Sequence, residues 1–217
     1  MKYFIRLFIF FVLAAIIWGL IVGLVLALVF GISKAILYGI GAGFIFSFII
    51  TVGGALYDFY FRRLVFLKYG IKSFDVTQYR EINIIGDVDD IYKRSITALK
   101  LIPDIEGVSP NFSAKTILAN TRKSIRTFGE IIELKLFQED DEVLIRICSK
   151  PRRKTAIIDC GKNIENVEIF CKLITTDKNQ NMFLERLAIP FGTKAIASLL
   201  PFIILALVIS IVIIINN

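Results

Sequence analysis

Two short basic stretches hold the groups whose binding chemistry is plainest in this sequence. Arg122, Lys123 and Arg126 fall in one predicted turn, and Lys150, Arg152, Arg153 and Lys154 in another. Guanidinium and ammonium groups on exposed turns bind phosphates and carboxylates through charge-assisted hydrogen bonds. An anionic lipid or an acidic partner is therefore the ligand class to expect. Between the two basic turns lies an acidic one, Gln138 followed by Glu139, Asp140, Asp141 and Glu142.

Other constellations fall short of a site. The chain has no histidine, which removes the imidazole base or ligand of most serine, cysteine and zinc mechanisms. Cys148, Cys160 and Cys171 are too widely spaced for a metal site, and an odd count suits free thiols in a reducing compartment. The sequon at Asn111 is then a chance match. Gly161-Lys162 resembles the end of a phosphate loop, but position 156 is Ala and 163 is Asn, where that motif needs Gly and Ser or Thr. Ahead of a helix it can still attract an anion weakly. The acidic turn lacks the glycine and spacing of a calcium loop. No catalytic constellation, cofactor or metal is expected. Nor is nucleic acid, because a formal charge of +7 comes without a base-stacking module.

The elements that position these turns begin with membrane helices. No charge occurs over 7–30, 35–57 or 195–215, and each run has the length of about 20 apolar residues that crosses a bilayer. Lys2 and Arg6 before the first run raise the possibility of a cleaved signal, but the run far exceeds the 7–15 residues of a signal core. It reads as a retained anchor. Gly39, Gly41 and Gly43 are not a nucleotide loop, because their flanks are uncharged helix. Counted in fours, Ala15, Gly19, Gly23 and Ala27 form one small-residue ladder. Ala35, Gly39, Gly43 and Ser47, continued by Thr51 and Ala55, form a second. Residues four apart share a helix face, and small faces let membrane helices approach closely. The two runs predict a hairpin over residues 1–63, joined by a four-residue link at 31–34.

Lys2 and Arg6 before the hairpin, and Arg62, Arg63, Lys68 and Lys72 after it, outweigh Lys34 in the link. The positive-inside rule then places both hairpin ends, and the polar domain, in the cytoplasm of a multi-pass inner (plasma) membrane protein. The third span would leave Asn216 and Asn217 outside. Asp58, four residues before Arg62, fits an i,i+4 ion pair. Aromatic and cationic residues over 57–63 suit the headgroup level.

The polar domain is expected over 72–176. A strand over 80–86 precedes a helix capped by Asp87, with Val88, Ile91, Tyr92, Ile96 and Leu99 on its apolar face and a stop at Pro103. Strands follow over 112–120, 128–138, 142–149 and 155–159, two of them with clear alternation. A second helix over 163–175 presents Ile164, Val167, Phe170, Cys171 and Ile174. The pattern predicts an α+β domain, an antiparallel sheet of about five strands with two helices on one face. Residues 177–194 read as a linker and amphipathic lead-in to the last span over 195–217. In an up-and-down sheet the two basic turns share one end and the acidic turn takes the other.

These features point to an integral membrane adaptor, sensor or accessory subunit that meets membrane lipids, and a protein partner or a second copy of itself. A subunit of a transport or channel complex is the alternative, as is an immunity-type protein against a membrane-active toxin.

Overall fold

In the computed structural model of the chain, the described residues are 2–124, 126–153, 155, 156 and 158–176. The predicted linker and third span, and Lys154 among the basic residues, lie outside them. The described residues divide into two compact units, one running to Phe59 and the other beginning at Tyr60.

The first unit is a helical hairpin. Helix α1 spans Lys2–Phe30 and helix α2 starts at Ile32 and runs to Tyr69. Both are long and apolar enough, by length and composition, to cross a membrane. The link is shorter than the four residues that composition predicts. Gly31 alone separates the helices, with φ +79°, and the Ala35 amide donates to its carbonyl at 3.1 Å. A left-handed residue ends α1 without steric cost only if it is glycine, so Ile32, Ser33 and Lys34 are free to form the first turn of α2.

The two ladders meet each other. A Cβ added at Gly43 would stand 2.6 Å from the Ala15 carbonyl oxygen and from the Gly19 backbone, and one at Gly39 would stand 2.7 Å from Gly23 Cα. At Gly23 the nearest atom would be the Ala35 carbonyl oxygen, at 3.4 Å. Gly41, off the ladder, has open space around it. Ala35 and Ser47 are buried, and Trp18 packs on Phe46 beside the seam with ring centroids 4.2 Å apart. Hydrophobic burial drives helix association weakly within a bilayer, and close backbone approach of this kind is what packs helices together there.

The second unit joins the end of α2 to an α+β sheet domain. Strands β1 (Gln78–Ile85), β2 (Ile105–Asn111), β3 (Thr116–Thr121), β4 (Glu130–Glu139) and β5 (Glu142–Pro151) form one sheet in the order β1-β5-β4-β3-β2. All neighbours are antiparallel. Helix α3 (Val88–Leu101) carries the chain from one edge of the sheet to the other, and helix α4 (Lys162–Thr175) follows β5. Ile91, Tyr92 and Leu99 of α3 and Val167, Phe170 and Ile174 of α4 close a core over Ile117, Ile132, Leu134, Ile145 and Ile147. Asp87 caps α3 by accepting from the Asp89 and Asp90 amides, which satisfies donors the helix cannot pair itself.

The strand set differs from the sequence reading in three places. Residues 105–111 form β2, although Gly107, Ser109 and Pro110 read as turn chemistry. An edge strand tolerates a missing donor, and the register shifts between Ile105 and Gly107. The predicted strand over 155–159 is not one: Thr155, Ala156, Ile158 and Asp159 lie outside regular strand. Residues 112–115 are the β2–β3 turn, where Asn111 Oδ1 accepts from Ser113 and the Ala114 amide.

Candidate functional site

The β3–β4 turn and the segment after β5 lie at one end of the sheet. The Arg152 amide donates to the Gly129 carbonyl at 2.9 Å, and the Arg122 amide to the Asp104 carbonyl at 2.8 Å. Arg122, Lys123, Arg152 and Arg153 are exposed there. Arg152 makes a long ion pair with Glu106 at 3.5 Å. The Arg153 guanidinium stacks over Phe128, 4.8 Å from the ring centroid. Lys150 lies one step back along β5, with its ammonium 3.4 Å from Glu133.

Arg126 belongs to the same turn but points inward, with a side chain only 6% exposed. It donates to Glu165 at 2.8 Å and to the Cys160 carbonyl at 2.9 Å, and it stacks over Phe61 at 4.7 Å. It is the turn's anchor, and the turn's exposed charge is carried by its neighbours.

Around that anchor lies a buried polar network that amphipathic periodicity gives no hint of. Arg62 donates to Asp159 at 2.5 Å, with both side chains nearly inaccessible, and also to the Ser73 carbonyl at 2.6 Å. Asp159 accepts in turn from the Gly161 and Asn163 amides at the start of α4. A helix N-terminus favours an anion, and here the chain supplies its own. The weak anion site that Gly161-Lys162 suggests is therefore occupied by Asp159. Asn163 donates to the Val76 carbonyl at 2.8 Å and its amide oxygen accepts from Ser149 at 2.6 Å. Lys162 reaches Asp104 at 3.2 Å. Gly161 has φ +69°, and a Cβ there would stand 2.8 Å from Val65 Cγ2. Phe61, Arg62 and Val65 of α2 thus lock onto the same end of the sheet that carries the basic turns.

Glu130 lies beneath the turn, buried, with one carboxylate oxygen accepting from the Thr121 hydroxyl at 2.5 Å. Burial pushes its pKa above the ordinary carboxylate value. Cys148 and Cys160 are buried, and burial with nearby Glu168 pushes the Cys171 thiol up to about 11.

The opposite end of the sheet is acidic, and more so than the single turn in the sequence suggests. The Gly86 amide donates to the Asp141 carbonyl at 3.1 Å, and Gln138 accepts from the Val88 amide at 3.1 Å. These bonds bring Asp87, Asp89 and Asp90 beside Glu139, Asp140, Asp141 and Glu142. Lys115 pairs with Asp89 there. Ten-residue strands separate the poles by roughly 30 Å, several Debye lengths at about 8 Å each in physiological salt.

No protein-family model matches the sequence, and no curated protein matches it. Solved structures with partial likeness include TTHA0849 from Thermus thermophilus, 9% identical with a TM-score of 0.33, covering 51% of this chain and 96% of that one. Ara h 8.0201 is 12% identical with a TM-score of 0.31, covering 45% and 95%. The di-domain ARO/CYC StfQ from the steffimycin biosynthetic pathway is 14% identical with a TM-score of 0.26, covering 51% of each chain. At these scores the three likenesses carry no argument about what the chain does.

Proposed function

We propose that this chain is an integral membrane adaptor, sensor or accessory subunit whose cytoplasmic α+β domain turns its basic end toward an anionic surface. One observation carries the reading. Phe61 and Arg62 follow the uncharged run 35–57 by four and five residues, which is headgroup level for a helix that spans. They are bonded to the sheet end that bears Arg122, Lys123, Arg152 and Arg153. Each cation near an anionic leaflet contributes about 1 kcal/mol, decaying within a Debye length. The acidic pole, with its seven carboxylates, would be repelled by the same surface.

The conduit alternative finds less support. The groove along the hairpin is lined by Ile16, Leu20, Leu24, Ile36, Ile40 and Phe44 over the small-residue ladders. Such a lining suits a further apolar helix better than an ion path.

The test uses the full chain in nanodiscs of neutral or anionic lipid, read by amide hydrogen exchange. Anionic lipid should slow exchange over 120–130 and 150–153, and high salt should reverse the effect. Equal exchange in both lipids would overturn docking on lipid, and crosslinks from the same residues to one protein in native membranes would put an acidic partner in its place.

A further inference from the structure

We infer that the β3–β4 turn is an interfacial anchor, in which Phe128 enters an anionic membrane surface while Arg122, Lys123, Arg152 and Arg153 hold lipid phosphates around it. The inference rests on the proposed docking of the basic end and commits that end to lipid. Phe128 is 58% exposed, in a turn that also carries Arg122 and Lys123. Arg153 lies over its ring at 4.8 Å. Arg122 and Lys123 are exposed and have no ion-pair partner among the described residues. An exposed aromatic ring with a guanidinium over it, and further exposed cations at the same end of the sheet, matches the composition of the headgroup layer, where the ring meets acyl chains and the cations meet phosphate. A free phosphate would satisfy the cations but give the ring nowhere to go.

The turn is also built to hold this arrangement. Arg126 pins it from below through Glu165, the Cys160 carbonyl and Phe61. The Ser124 amide donates to the Thr127 carbonyl at 2.9 Å. Gly129 has φ +89°, and a Cβ there would stand 2.9 Å from the Thr121 carbonyl oxygen. A preorganised tip loses little conformational freedom when it binds. Two other exposed aromatics differ: Phe112 packs on Tyr92 with ring centroids 4.6 Å apart, and Phe137, although Arg146 lies over its ring at 5.0 Å, is within β4 rather than in a turn.

Trp18 is the sole tryptophan, so the full chain carrying Trp18→Phe and Phe128→Trp reports on this position alone. It is reconstituted into phosphatidylcholine vesicles with or without phosphatidylserine, with brominated acyl chains as quencher. The inference expects several-fold stronger quenching with phosphatidylserine, lost in high salt and after Arg152→Gln with Arg153→Gln. Salt-sensitive exchange protection over 120–130 without quenching would overturn insertion and leave docking standing. Absence of both would overturn docking as well. Quenching indifferent to lipid charge would overturn the role given to the four basic residues.

Discussion

The hairpin and the α4 junction join helices to their neighbours with opposite materials. Between α1 and α2, side chains are removed until backbone touches backbone at Gly19, Gly39 and Gly43. Around the start of α4, charged and amide side chains are packed in, and Lys162, Asn163, Glu165 and Asn166 are all buried. The first contact needs no polar partner and is limited by shape. The second is limited by whether every charge finds a partner, because a buried ion without one costs several kcal/mol. At Gly39 and Gly43 the seam has no room for an added atom, and an ion network tolerates no lost one.

The comparison breaks most sharply at Arg126. Arg126→Met removes the 2.8 Å ion-pair partner of the buried Glu165 and should cost about 3–5 kcal/mol. Thermal unfolding of the full chain in micelles measures the loss, and adding Glu165→Met should recover much of it. Next comes Gly43→Ala, whose single methyl would meet backbone at 2.6 Å. Overpacking of this kind costs about 1–3 kcal/mol, whereas Gly41→Ala should leave the unfolding midpoint unchanged or slightly raised. A seam that tolerated both equally would remove the contrast.

Glu130 gives a smaller effect, with a defined sign. Its folded pKa is raised above the ordinary 4.5 by burial, so the folded state holds a proton that the unfolded state has already lost. Stability should fall as pH rises from about the unfolded value through the folded one. Glu130→Gln should flatten that part of the stability–pH curve, and an unchanged slope would locate the titration elsewhere. The smallest effect belongs to Arg152→Gln with Arg153→Gln. These exposed positions should change stability by less than about 0.5 kcal/mol, so any lost lipid response is a loss of binding.

The hairpin was legible because a helical period puts small residues at a spacing that has one physical use. The sheet was legible where strands alternate, as in β4 and β5. It failed at β2, whose Gly107 and Pro110 are turn residues tolerated on an edge, and over 155–159, where Thr155, Ala156, Ile158 and Asp159 lie outside regular strand. The basic turns were legible as a pair because alternate turns of a meander share an end. Composition could not say that Arg126 faces inward, since that depends on Glu165 and Phe61, distant in sequence. The same holds for Arg62. Sequence proximity suggests Asp58 as a partner, but it gives no hint of Asp159, 97 residues away, to which Arg62 donates. The helix-capping role of Asp159, just ahead of Gly161, was the one local signal that could have pointed there.

Pro110 and the shifted register of β2 have a bearing on solubility. Proline supplies no N–H, and a bulged edge cannot present an even row of donors and acceptors to an incoming strand. Sheet-to-sheet growth between molecules is thereby discouraged at β2. The other border strand, β1, has neither proline nor bulge, and Tyr79 and Ile85 stand exposed on it, with Arg80 and Glu81 as its charged guards. Aggregation of the purified chain by strand recruitment should therefore begin at β1, and Ile85→Lys is the substitution that would hold it off.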